Sequence, residues 1–233
     1  MLAFDAPSNI QTNSVTSVTL SHTCTGSNLV LLVAITIIGG GSCTGVTYNG
    51  VSMTQADTKN NVGASIQDYV FILAGPAAGT HDIIASFSGT GASILSVGGI
   101  SLTGADASPL GVTSSANFTS SASPSKAITT GTANSWILGY ASWNSNGGLP
   151  ISSGTNQTTR WNVNDATDGM AANNSTQTTT TAGSYTSSWA NGPIASGNMI
   201  LVEVKELVAT ATPGQSASIP SVSFQRIVKT NSY

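Results

Sequence analysis

Apolar and polar positions change rhythm along this chain, and the changes mark its elements. Residues 29–38, LVLLVAITII, are apolar except for Thr36, and Gly39-Gly40-Gly41 ends the run. A run this long, rich in Val and Ile and bounded by turn residues, predicts a central strand buried on both faces. After the glycines, Val46, Tyr48, Val51 and Met53 alternate with Thr47, Asn49, Ser52 and Thr54 around Gly50. That rhythm predicts a half-buried neighbour.

Further strands are expected over residues 15–20, 64–73, 82–88 and 92–103, the last with Gly98-Gly99 as a bulge or close backbone approach. Others are expected over 126–130, 135–143, 158–163, 184–189 and 198–208. In 198–208, Ile200, Val202 and Val204 are expected to point inward, and Glu203 and Lys205 outward. Residues 170–180 are polar and read as an exposed edge strand, and 104–125 read as a loop. No segment holds a helical period, so the expected class is all-β, an antiparallel two-sheet β-sandwich of about twelve strands. No heptad, collagen repeat or other internal period is visible. The expected organisation is an irregular arm at 1–13, a sandwich domain at 14–208, and a Pro/Gly/Ser-rich tail or arm at 209–233. Phe4 in the first segment and Val222, Phe224 and Ile227 in the last are the residues by which such arms would grip a neighbouring subunit. The alternative is a tail packed back on its own sandwich.

Composition narrows the function. Charged residues make up 6% of the chain, against roughly 25% in an ordinary soluble domain. Ser, Thr and Asn must solvate the surface instead, and a surface with so little charge repulsion tolerates dense packing against copies of itself. The net charge of −3 and the lack of any Lys/Arg cluster exclude a nucleic-acid footprint or a basic membrane patch. The longest apolar run, about ten residues, is half of what a membrane-spanning helix needs. The opening MLAFDAPSNIQTN has neither a basic n-region nor an apolar h-region, so a protein made without a secretory leader is expected.

Candidate chemistry is sparse. Glu203 and Glu206 fall on opposite faces of one strand and cannot flank one sugar. His22 and His81 lack a nucleophile elbow and read as structural histidines, so neither an enzyme nor a cofactor is expected. Asn162, Asn164, Asp165 and Asp168 form an oxygen-rich loop that is a weak calcium candidate, without the EF-hand spacing or its closing Glu. Trp143, Trp161 and Trp189, with Tyr185, fall near turns and would form a platform for a glycan in an alternative binding reading. Cys24 and Cys43 flank a strand whose ends lie roughly 30 Å apart, so two free thiols are expected rather than a disulfide.

His22-Thr23, Gly26 to Asn28, the apolar strand, VTYNGVSMT at 46–54, and Pro76 to His81 together resemble a β-sandwich module of tailed-phage structural proteins and bacterial surface proteins. The resemblance covers about residues 15–105 and departs from the pattern at Leu29, where a basic residue is usual. It implies a jelly-roll or concanavalin-like sandwich and a structural role in a virion. The expectation is a capsid decoration protein whose partners are its own copies and a capsid or tail protein. A glycan- or receptor-binding module on a tail or cell surface is the alternative.

Overall fold

The computed structural model describes residues 1–89, 93–144, 151–191 and 195–208. The first half of the chain contributes β1 (Ala3–Asn13), β2 (Ser17–Cys24), β3 (Val30–Ile38), β4 (Ser42–Tyr48), β5 (Val51–Ser52), β6 (Thr54–Asn61), β7 (Ile66–Ala74), β8 (Gly79–Ser88) and β9 (Ile94–Thr103). The second contributes β10 (Ala105–Ser121), β11 (Ser125–Thr130), β12 (Trp136–Asn144), β13 (Ile151–Ser153), β14 (Thr158–Asp165), β15 (Met170–Thr178), β16 (Gly183–Asn191) and β17 (Ala195–Glu206). Among the described residues the protein is all-β and antiparallel, with one 3-10 turn at Val62–Ala64.

Four sheets are present where two were expected. Sheet order β1-β9-β3-β7-β6 packs on β2-β8-β4-β5, and β10-β17-β12-β15-β14 packs on β11-β16-β13. The two five-stranded sheets then pack on each other. Each interface has its own core, and β3 shows why. Leu31, Val33, Ile35 and Ile37 face the four-stranded sheet, while Val30, Leu32, Ala34 and Ile38 face Leu138, Tyr140, Ile200 and Val202 of the other half. A strand buried on both faces has no polar side to alternate with, which is what the unbroken run at 29–38 expresses. The remaining core, around Trp143, Trp189, Ile137 and Leu201, lies inside the second half.

The two halves repeat one another. Replacing β1, β9, β3, β7 and β6 by β10, β17, β12, β15 and β14 reproduces the strand order, as does replacing β2, β8 and β4 by β11, β16 and β13. Register shifts recur at matching places, Phe4/Pro7 against Leu110/Thr113 and Gln55/Asp57 against Thr159/Trp161. Asn28 and Asn134, each two residues ahead of its central strand, both hold positive φ, 51° and 55°. The packing is reciprocal as well: β10 lies over β6 as β1 lies over β14, and β12 over β7 as β3 over β15. This is the pattern of an isologous twofold interface, built within one chain.

Several expectations are corrected. Residues 3–13 are an ordered strand, with Phe4 paired to Leu102 and its ring 3.9 Å beneath the Arg160 guanidinium. Its polar side chains hide it because β1 is an edge strand with one solvated side. The stretch read as a loop at 104–125 is mostly β10, whose three register shifts break any alternation. The stretch read as an exposed edge is β15, an inner strand buried along eight of its nine residues. Its Asn, Ser, Thr and Gln side chains include several that bond to one another or to neighbouring strands. The tail residues Val222, Phe224 and Ile227 lie outside the described residues.

Candidate functional site

Polar groups without solvent concentrate at the seam between the two large sheets. Thr36 on β3 and Ser142 on β12, counterparts under the repeat, both donate to one carboxylate, that of Asp68 on β7, at 2.6 and 2.5 Å. Tyr140 bonds Thr36 Oγ1 at 2.5 Å. Asp68 is fully buried, and burial pushes its carboxyl up to about 7 against the lowering effect of Ser142, Thr36 and Asn198. The seam therefore carries one titratable joint contributed by both halves. Among the described residues, the same seam leaves Asn174 with neither amide atom bonded and Trp161 with an unpartnered indole N–H. Gly98 is required there, because a Cβ on it would lie 2.4 Å from the Trp161 ring.

One carboxylate in each half anchors the turn before the central strand. Asp5, in the β1 bulge, accepts from the Thr25 amide at 2.8 Å, from the Thr25 hydroxyl, and from Ser101 on β9 at 2.7 Å. In the second half the carboxylate arrives from the other strand. Glu203 on β17, counterpart of Ser101, accepts from the amides of Val112, Gly131 and Thr132 and from the Thr132 hydroxyl. The counterpart of Asp5 is Gly111, and a Cβ there would lie 2.4 Å from Glu203 Oε2. Burial pushes both carboxyls up, but the hydrogen bonds outweigh it and hold each below its ordinary range. Glu203, expected to face outward, is 1% exposed. A charge looks misplaced in a sequence until its backbone donors are known.

Both histidines have protein partners. His22 is buried and bonded at both ring nitrogens, to Ser8 at 2.8 Å and Ser101 at 3.1 Å. His81 stands edge-on to Tyr48 with its Nε2 at 3.3 Å from the Ala78 carbonyl. Cys24 and Cys43 are free thiols, as the strand length required.

The remaining expected sites do not assemble. Trp143, Trp161 and Trp189 are 0, 5 and 1% exposed. Trp189 donates to Asn173 Oδ1 at 2.9 Å, and Trp143 meets Phe118 edge-on. They fill cores, so the platform imagined for a glycan is not formed by them; Tyr185 alone of that set is partly exposed, bonded back to the Thr181 carbonyl. The calcium candidates diverge. Asp165 accepts from the amides of Thr167 and Asp168 and from Gln11, Asp168 from Asn13 at 2.6 Å, and Asn162 from Asn173 at 2.5 Å. Asp165 and Asp168 thus form a hairpin turn clamped to β1. Among the described residues no cluster of His, Cys, Asp or Glu could hold a metal ion. A groove of about 560 Å³ between β4–β5 and β6–β7 is floored by Val46, Met53 and Phe71, with Cys43 as its one titratable side chain. No helix among the described residues is long and apolar enough to cross a membrane. Searches of family models, curated proteins and solved structures find no match for this chain.

Proposed function

We propose that the chain is a structural protein of a phage particle, a decoration protein on the capsid exterior that stabilises the shell through subunit contacts. The observation that carries this reading is the character of the two outermost faces. One presents Ser17, Thr19, Ser21 and Thr23 beside Thr80, Ile84 and Ser86, with Asp82 as the charge in these rows. The opposite one presents Ser125, Ala127 and Thr129 beside Ser184, Thr186 and Ser188. Hydroxyl faces of this kind carry little long-range repulsion and leave neighbours free to pack closely. The resemblance of residues 15–105 to a phage sandwich module supports the same reading, and we take the order β1-β9-β3-β7 over β2-β8-β4-β5 as a jelly roll.

The test is reconstitution. Added to capsids that lack it, the purified protein should co-sediment with them and raise the temperature at which they rupture. Lysines at Thr19, Ser21, Ser184 and Thr186 should abolish both effects while leaving the isolated chain folded. Capsid pellets that hold none of the protein at saturating concentration would overturn the proposal.

A further inference from the structure

Four side chains in the first half form one directional hydrogen-bonded path. Asp5 takes its hydrogen bonds as an acceptor, so the Ser101 hydroxyl is committed to it at 2.7 Å. The Ser101 oxygen is then left to accept, and His22 Nε2, 3.1 Å away, must carry the proton that it accepts. A neutral imidazole protonated at Nε2 has a bare Nδ1, and Ser8 Oγ donates to it at 2.8 Å. Burial lowers the His22 pKa more than Asp5 raises it, which keeps the ring neutral and leaves Nδ1 free to accept. Thr25 closes the path by fixing Asp5. A hydroxyl donating to an imidazole that is oriented in turn by a carboxylate is the arrangement that activates serine nucleophiles. Here one extra hydroxyl, Ser101, stands between ring and acid.

The second half supplies an internal control. The counterparts of Ser8, His22 and Gly99 are Ser114, Ile128 and Leu201, and both apolar residues are buried. Ser114 there donates to the Ala127 carbonyl at 2.9 Å. The fold thus fills this volume equally well with hydrocarbon, and nothing in the packing demands an imidazole. β1 and β2 are the edge strands of their sheets, and Ser8 on β1 is half-buried.

We propose that Ser8 is an acyl-accepting nucleophile, activated through His22, whose substrates are small carboxylic esters. Ser8 Oγ adds to the ester carbonyl carbon as its proton passes to His22 Nδ1. The bond to the leaving oxygen then breaks, that oxygen takes the proton from Nδ1, and an alcohol departs. The product is an ester on Ser8, which water, deprotonated by the same nitrogen, returns to serine and a carboxylic acid.

The experiment treats the full chain with p-nitrophenyl acetate, follows release of p-nitrophenolate and locates the acetyl group by peptide mass spectrometry. Ser8 should be acetylated at least about 100-fold faster than Ser114, with a rate that rises with pH through the low His22 pKa and then levels. His22→Ile, which copies Ile128, and His22→Gln should each lower the Ser8 rate about 100-fold or more, and Ser8→Ala should remove the burst. Equal labelling of Ser8 and Ser114, or a Ser8 rate unchanged in either His22 variant, overturns the proposal. Should both His22 variants unfold, the wild-type ratio of Ser8 to Ser114 and its pH profile decide alone.

Discussion

The two halves of this protein share strand order, bulge positions and the left-handed Asn before the central strand, yet fill that frame with different chemistry. The first half has β3, VLLVAITII, and the second has β12, WILGYASWN; of the paired positions only Leu32 and Leu138 are identical. The first half buries aliphatic residues against Tyr48 and Phe71, whereas the second buries Trp143, Trp189 and a polar β15. Comparing them teaches which features the architecture demands and which are local solutions. The carboxylate under the turn is demanded, since both halves have one. The strand it comes from is not: Asp5 with Ser101 in one half becomes Gly111 with Glu203 in the other, a compensated exchange of a short acid and a long one.

The largest effect should come from breaking that exchange. Glu203→Ser alone orphans the amides of Val112, Gly131 and Thr132, and Gly111→Asp alone drives a second carboxylate into Glu203. Each should cost about 4–5 kcal/mol in urea unfolding. Combined, they copy the first half, and the double variant should recover about 1–3 kcal/mol of the summed loss. Strict additivity would show that the two halves are not interchangeable here.

Next is the joint that the halves share. Asp68, with its carboxyl pushed up to about 7, holds a proton in the folded chain that the unfolded chain releases near 3.9. Its contribution is therefore full below about pH 4, drains as pH rises, and is gone above about pH 7, a change on the order of 4 kcal/mol. Asp5 and Glu203, lowered by their donors, act in the opposite sense: their contributions are present at neutral pH and lost as pH falls below about 4. Asp68→Asn should cancel the decline between pH 4 and 7 while leaving the acid loss intact. Parallel stability curves for variant and wild type would remove Asp68 from this role.

A smaller effect is expected where the halves touch without charge. Gly98→Ala places a methyl group against the Trp161 ring and should cost about 2–3 kcal/mol. Changing Gly45, which has open space, should be nearly silent in the same thermal melt. The smallest change should be a gain. Asn174 occupies the seam position that Val70 fills in the first half, and its amide atoms have no partner. Asn174→Val should stabilise the protein by about 1–2 kcal/mol, and a loss of stability would mean that the amide is bonded in solution.

How much of this was legible in the chain follows from the same comparison. The strands of the first half read clearly because their burial is aliphatic: 29–38 is β3 almost to the residue, and the Pro76 to Gly79 turn opens β8. In the second half β15 reads as surface because Asn173, Asn174, Ser175 and Thr176 look solvated, although all four are buried. The repeat itself stayed hidden since one aligned identity in the central strands is no signal. The relay from Ser8 through His22 to Asp5 was equally invisible, joining residues from three strands whose adjacency exists only after β9 inserts between β1 and β3.

By itself, the amino-acid order determined the class of the protein, the doubly buried central strand and the two unpaired thiols. Those properties depend on local alternation, chain stiffness and reach, which act over a few residues. Tertiary structure alone decided the rest: four layers instead of two, the twofold seam, and which polar side chains would be buried. A side chain's cost of burial depends on the donors and acceptors that meet it. For Glu203, Asp68 and His22 those partners come from strands tens of residues away, so nothing near them in the chain could announce their roles.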